Sequence, residues 1–252
     1  MLNIVVPIAG RGSRFSKEGY ELPKPLIPVN GIPMIQLVCS NLKPKCEHRF
    51  IFLCLCEHID KYKIDEKLRE FEPSCKIVKI KNITGGAACT LLLAEEHFNN
   101  SDPLMIANGD QWIDIDINDY LKASESGEYD GFIMTMWSDH PKWSYIKLNR
   151  ENKITQVVEK QVVSNEATVG IYNFAHGFYF FEAASSMIEK DIKVNNEFYV
   201  APAYNELIQS GFNIGYYNVG KEYDGMYGLG VPSDLERFLK NGKSTGNKIK
   251  KS

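Results

Sequence analysis

The chain has 252 residues, 44% of them hydrophobic and 24% charged, with a formal net charge of −3. That length accommodates one or two domains around a sizeable core, and the composition is that of a globular protein rather than a fibrous or disordered one. So small a net charge excludes a general electrostatic footprint for nucleic acid or an anionic membrane, and any anion binding has to be local.

In chain order, the first apolar run, residues 3–8, predicts a buried strand that ends in the glycine loop "AGRGSRF". Similar short runs at 50–56, 76–80 and 104–107 alternate with helical spacing at 33–43, 59–71 and 87–98. Strand–helix alternation with continuously apolar strands predicts an α/β chain: a Rossmann-like, mostly parallel sheet with helices on both faces. The second half changes character. Residues 130–137, 144–149, 153–160 and 176–181 read as strands joined by polar turns, which predicts antiparallel additions. Helices are expected at 182–190, 199–210 and 232–240. No repeat or Pro/Gly-rich linker interrupts the chain. Residues 1–240 therefore read as one domain with halves at 1–128 and 129–240, and the basic tail 241–252 as disordered.

The six cysteines, Cys39, Cys46, Cys54, Cys56, Cys75 and Cys89, form no C-x-x-C pair. They read as reduced, buried residues of a cytoplasmic protein rather than zinc ligands. No signal peptide is expected, because no basic segment precedes the first apolar run and no cleavage-like site follows it, and no membrane span is expected, because no apolar run approaches ~18 residues.

The opening loop carries Gly10 and Gly12 with Arg11 and Arg14, and Lys24 stands between Pro23 and Pro25. Glycines let backbone N–H groups approach an anion, a guanidinium fork suits phosphate oxygens, and flanking prolines limit where Lys24 points. Three phosphate-binding patterns fail here. The dinucleotide fingerprint lacks its third glycine at Phe15, no Gly-Lys-Ser/Thr follows, and no kinase catalytic loop occurs downstream. A plain glycine turn with two solvated arginines is the alternative.

"AGRGSRF" followed by "PKPLIPVNGIPMI" resembles the two-part signature of the nucleotidyltransferases that make NDP-sugars and related activated metabolites. The resemblance implies that fold, shared with GT-A-like glycosyltransferases, and transfer of a nucleoside monophosphate from an NTP to a phosphorylated small-molecule acceptor. Residues 1–128 become the nucleotide half and 129–240 the acceptor half. It implies phosphate binding by Ala9, Gly10, Arg11 and Gly12, catalytic charge from Arg14 and Lys24, and contact of Gly85, Gly86 and Ala87 with the base. Asp110, at the end of "PLMIANGD", becomes the ligand of Mg²⁺. "VVEKQ" implies acceptor contact through Glu159 and Lys160, "GIYNF" through Tyr172, and "NEFYV" through Glu197.

Where many members carry a second metal-binding acid, this chain has Gly228, and Asp224 is the nearest alternative. "DID" at 114–116 also resembles the DxD of glycosyltransferases, although a solvated turn explains it equally. The opening and "NGDQW" look closer to cytidylyltransferase members of capsule and lipopolysaccharide pathways. That implies CTP as donor and a non-sugar acceptor, glutamine phosphate foremost, with sugar 1-phosphates or phosphocholine as alternatives. A non-catalytic nucleotide-binding protein is the remaining alternative.

Overall fold

The computed structural model describes residues 1–240; the tail 241–252 lies outside them. The chain opens with β1 (Leu2–Ile8), the short helix α1 (Ser13–Lys17), a 3-10 turn at Lys24–Leu26, a small ribbon of β2 (Pro28–Val29) and β3 (Ile32–Pro33), and α2 (Met34–Leu42). Next come β4 (His48–Leu55), α3 (Cys56–Tyr62), α4 (Ile64–Phe71), β5 (Lys76–Ile80), α5 (Ala87–Leu92), α6 (Glu95–Phe98), β6 (Leu104–Ala107), β7 (Gln111–Ile113) and α7 (Ile117–Ser126). The second half adds β8 (Gly131–Trp137), β9 (Ser144–Leu148), β10 (Ile154–Glu159), β11 (Glu166–Phe174), α8 (Gly177–Glu189), α9 (Tyr204–Gln209), β12 (Ile214–Glu222), β13 (Gly225–Gly228) and α10 (Pro232–Lys240).

The main sheet has the order β5-β4-β1-β6-β11-β8-β12-β13-β7, with the β9–β10 hairpin attached to β11. Strands β5, β4, β1 and β6 are parallel, and β11 enters antiparallel between β6 and β8. Both halves of the chain thus share one sheet. Side-chain alternation explains why the parallel strands are apolar throughout. Ile4, Val6, Phe50 and Phe52 pack on the face covered by α2, whereas Val5, Ile51 and Leu53 pack on the face covered by α5 and α8. Among the described residues no helix is long and apolar enough to cross a membrane. The six cysteines are free, and burial pushes the thiols of Cys39 and Cys54 up.

Three expectations are corrected. The run 176–181 is not a strand: Gly177 begins α8, and Phe180 is buried against Phe98 and Phe174, so an aromatic run that suits a strand here covers the sheet. The helix expected over 59–71 breaks at Lys63, which takes φ 53°. The helix expected over 87–98 likewise divides into α5 and α6. Asp116 of "DID" is a helix cap. Its carboxylate accepts the backbone N–H of Asn118 at 2.9 Å, a bond that holds its carboxyl below the usual range.

Candidate functional site

The site lies beyond the carboxyl ends of the parallel strands, where open α/β sheets place ligands. The chain leaves β1 through Ala9 and Gly10, and Gly12 caps α1 in the left-handed conformation, φ 62°. A Cβ on Gly12 would lie 3.0 Å from Cβ of Lys24. The two halves of the opening signature therefore touch. Pro23 and the 3-10 turn at Lys24–Leu26, whose Pro25 and Leu26 are buried, fix where Lys24 starts. Its ammonium reaches across to Asp110 Oδ2 at 2.7 Å, with both side chains partly buried.

Asn108 and Gly109 separate Asp110 from β6, β7 begins at the next residue, and the Asp110 carbonyl accepts the Leu229 N–H at 2.7 Å. The next strand, β7, is held on both sides. Asn41 of α2 bonds the carbonyl and N–H of Ile113, each at 2.8 Å, and Trp112 packs on Tyr227 and Phe238. The carboxylate thus sits on a rigid frame.

Gly85 and Gly86 precede α5 and meet the "NEFYV" segment. Phe198 donates its N–H to the Gly85 carbonyl at 2.9 Å and accepts from Ala88 N–H at 3.0 Å. Gly86 has φ 138°, and a Cβ there would fall 2.4 Å from the Phe198 carbonyl oxygen. Gly86→Ala is therefore expected to cost about 1–3 kcal/mol through backbone strain and collision. A urea titration of both proteins reads that cost as a lower midpoint.

That pairing brings Glu197 and Tyr199 to the acceptor side. Lys160, the residue after β10, takes φ 55° and donates its N–H to the Trp143 carbonyl at 3.0 Å. Its ammonium bonds the Tyr199 hydroxyl and lies 4.3 Å above that ring's centroid. The Tyr199 hydroxyl donates to Glu197 Oε2 at 2.5 Å. Burial, and then the Glu197 carboxylate, push the Tyr199 phenol up, while the charge of Arg14 pulls the other way. Arg14, exposed on α1, therefore shares one electrostatic neighbourhood with the acceptor side. Glu159 is buried; burial raises its carboxyl above the ordinary range, opposed by a bond from the Ser144 hydroxyl.

The structure joins Lys24 to Asp110 on one side and gathers Glu159, Lys160 and Glu197 on the other, with the Arg14 charge felt at Tyr199. Ala9, Gly10 and Arg11 lie in the loop leading to them. It does not bring Tyr172 to an open surface, since the ring is 6% exposed and its hydroxyl bonds Thr168 at 2.9 Å. Nor does it bring Asp224 to Asp110. Asp224 lies in the turn before β13, paired with Lys221 at 3.7 Å, while the far end of β13, at Gly228, faces Gln111. Three residues of strand lie between Asp224 and Gly228, about 13 Å at the usual rise. A Cβ on Gly228 would meet Asp234 Oδ2 at 3.4 Å, and Asp234 accepts the Tyr223 hydroxyl at 2.7 Å.

No group of three or more His, Cys, Asp or Glu able to hold a metal occurs among the described residues. A magnesium ion needs only one or two carboxylates when substrate phosphates complete its shell, so Asp110 alone fits. Sequence reasoning missed Tyr199 and Ser144. Tyr199 lay inside a quoted motif, but its partner Lys160 is 39 residues away in the chain. Gln111 was also missed: its Oε1 is buried without a partner beside Gly170, next to Asp110.

A nucleotidyl transferase family model matches residues 5–212. The bifunctional protein GlmU of Methanococcus aeolicus is 24% identical over 88% of this chain and 52% of its own length. The chain thus spans about half the length of the curated relatives of this kind that it matches. Among solved structures, a nucleoside-diphosphate-sugar pyrophosphorylase from Vibrio cholerae superimposes with a TM-score of 0.80 at 25% identity, covering 94% of this chain and 99% of that one. The inositol-1-phosphate CTP transferase of T. maritima shares the fold, with a TM-score of 0.70 at 16% identity, over 96% of this chain and 98% of its own. The chain belongs to the nucleotidyl transferase family.

Proposed function

We propose that this chain transfers a nucleoside monophosphate from an NTP to a phosphorylated small-molecule acceptor and releases pyrophosphate in the cytoplasm. The observation that carries the reading is the contact of Lys24 with Asp110, 2.7 Å apart, with the glycine loop packed on Lys24. The acceptor phosphate is already an anion at neutral pH, so its oxygen attacks the α-phosphorus without a general base. Catalysis then rests on alignment and on neutralising charge.

Arg14 and Lys24 hold the β- and γ-phosphates of the leaving pyrophosphate. Gly10, Arg11 and Gly12 bring backbone and side-chain donors to the triphosphate, and Gly85, Gly86 and Ala87 face the base. Asp110 holds Mg²⁺, which when bound supplies Lewis acidity and neutralises phosphate charge. Lys160, oriented by Tyr199 and Glu197, meets the acceptor phosphate, and the buried Glu159 accepts a hydrogen bond from the acceptor. For donor and acceptor we favour CTP and glutamine phosphate, on the resemblance of the opening and of "NGDQW" to cytidylyltransferase members. A sugar 1-phosphate acceptor is the second reading. It is favoured by the Vibrio cholerae pyrophosphorylase, whose name gives a nucleoside-diphosphate sugar as its substrate class.

Pyrophosphate release tests both readings. Each of the four NTPs is incubated with Mg²⁺ and glutamine phosphate, phosphocholine or a set of sugar 1-phosphates. Release with CTP and glutamine phosphate alone is the expected result, and release with a sugar 1-phosphate selects the second reading. Pyrophosphate in none of the mixtures would overturn the proposed activity toward these acceptors.

A further inference from the structure

Tyr172 stands in "GIYNF", a motif that the resemblance gives to the acceptor, yet its ring is buried. Its surroundings give it a different part. Glu159 of β10 lies opposite Ser144 of β9. Ala167 of β11 lies opposite Tyr145 of β9, so the next antiparallel pair is Thr168 and Ser144. Residues opposite one another share a sheet face. Glu159, Ser144 and Thr168 therefore form one row across three strands, and none of them is more than 9% exposed.

The row is hydrogen-bonded. The Ser144 hydroxyl donates to Glu159 Oε2. The Tyr172 hydroxyl bonds the Thr168 hydroxyl at 2.9 Å and stands within hydrogen-bonding reach of Ser144. Thr135, opposite Thr168 on β8, donates instead to Glu166 Oε2 at 2.7 Å. The three hydroxyls of Thr168, Tyr172 and Ser144 thus lead to one carboxylate, Glu159. A hydroxyl has a single proton to donate. With that of Ser144 given to Glu159, Ser144 accepts from Tyr172, and Tyr172 accepts from Thr168. All three O–H dipoles then run toward the carboxylate, and buried chains of this kind strengthen bond by bond. Burial pushes the Glu159 carboxyl up; the bond from Ser144 and then the Lys160 charge pull it back, while Glu197 pushes it further up. Tyr172 and Tyr199 lie close enough to feel the Glu159 charge as well.

We propose that Ser144 is a positioning residue for the transferase reaction: backed by Tyr172 and Thr168, it keeps the buried Glu159 carboxylate ionised and fixed so that it accepts a hydrogen bond from the acceptor. The proposal rests on the transferase reading, in which Glu159 meets the acceptor.

Two readouts on the full chain test it. The first needs no turnover. Glutamate side chains are labelled at Cδ, and the Glu159 carboxyl is titrated by ¹³C NMR, its signal being the one missing from Glu159→Gln. Ser144→Ala removes a donor to the carboxylate, so the titration is expected at higher pH than in the parent. Tyr172→Phe is expected to move it the same way by less. The double variant should move it no further than Ser144→Ala alone, because Tyr172 acts through Ser144. The second readout follows pyrophosphate release from CTP and glutamine phosphate against pH, or from UTP and glucose 1-phosphate where the parent turns over only a sugar phosphate. Ser144→Ala is expected to lower kcat/KM for the acceptor about tenfold or more, with the KM for the NTP unchanged, and to move the acid limb of that profile to higher pH. The acceptor phosphate titrates alike in every variant, so only the displacement between profiles counts. A Glu159 titration untouched by Ser144→Ala overturns the proposal, whatever the activity. So does a displaced titration in an active enzyme whose acid limb stays in place. Shifts that add in the double variant take Tyr172 out of the chain; if Tyr172→Phe does not fold, Ser144→Ala decides. No pyrophosphate from the parent overturns the transferase reading, and with it the part of Ser144 in the reaction, even where the titration moves.

Discussion

Replacing Lys24 by alanine is expected to lower turnover about 10²–10³-fold, the loss typical when one donor to a developing charge is removed. The two links from this residue to the reaction are its position and its partner. Position comes from Pro23 and the 3-10 turn behind it, which anchor the backbone through buried Pro25 and Leu26. The partner is Asp110, at 2.7 Å, so the ammonium already stands beside the carboxylate that follows β6. The stability term is small by comparison. Both side chains are more than a fifth exposed, at 27% and 21%, and a partly solvated pair of this kind contributes about 0–1 kcal/mol. A melting curve close to that of the parent chain, together with a fall in kcat rather than a rise in KM alone, is the expected combination. That split distinguishes stabilisation of the leaving pyrophosphate from mere capture of the triphosphate. Turnover within tenfold of the parent would remove Lys24 from the mechanism.

The glycine loop and the proline-flanked Lys24 were legible because their determinants are local, whereas the contact of Lys24 with Asp110, far along the chain, was not. Glycines that free the backbone, two arginines and a lysine restricted by its flanking prolines all lie within residues 10–25. The parallel strands were legible for the same reason: β1, β4, β5 and β6 are short apolar runs, and their side-chain alternation needs no knowledge of neighbours. What escaped was set by residues distant in the chain. Strand β12, with Gly215 and Gly220 inside it, has little strand signal of its own and forms by lying parallel to β8. Gly177 ends the aromatic run's claim to be a strand only because α8 has the second apolar face to cover. On the acceptor side, Glu159 and Lys160 were visible as a pair. Their environment was not, since Ser144 and Tyr199 arrive from β9 and from the segment paired with Gly85. Asp224 misled for a related reason. Nearness in sequence to Gly228 placed it at the site, but the intervening β13 is extended and carries it to the other end.

Asp110→Asn tests the carboxylate without changing its shape. Asparagine keeps the size and can still accept one hydrogen bond, but it loses the charge that a hard divalent cation requires of its ligands. Asp224 is held at the far end of β13 and Gly228 carries no side chain, so neither position considered for a second acid supplies one beside Asp110. A chain with two carboxylates at its metal site could retain part of its function. Here the expected loss is about 10²-fold or more in turnover, of the size seen when one charge-stabilising group is removed. Raising Mg²⁺ should recover little of it. Stability should change by no more than about 1 kcal/mol, since the ion pair with Lys24 is partly solvated. The double variant with Lys24→Ala adds a sharper reading. If the two residues serve one assembled phosphate site, the double loss falls well short of the product of the single losses, as for groups that act as a unit. If the losses multiply, Lys24 and Asp110 act on separate parts of the substrate, and their contact in the structure is only an ion pair. Full activity in Asp110→Asn, with the fold intact, would show that this carboxylate does not hold the ion and that another acid must be sought, Asp234 beside Gly228 first.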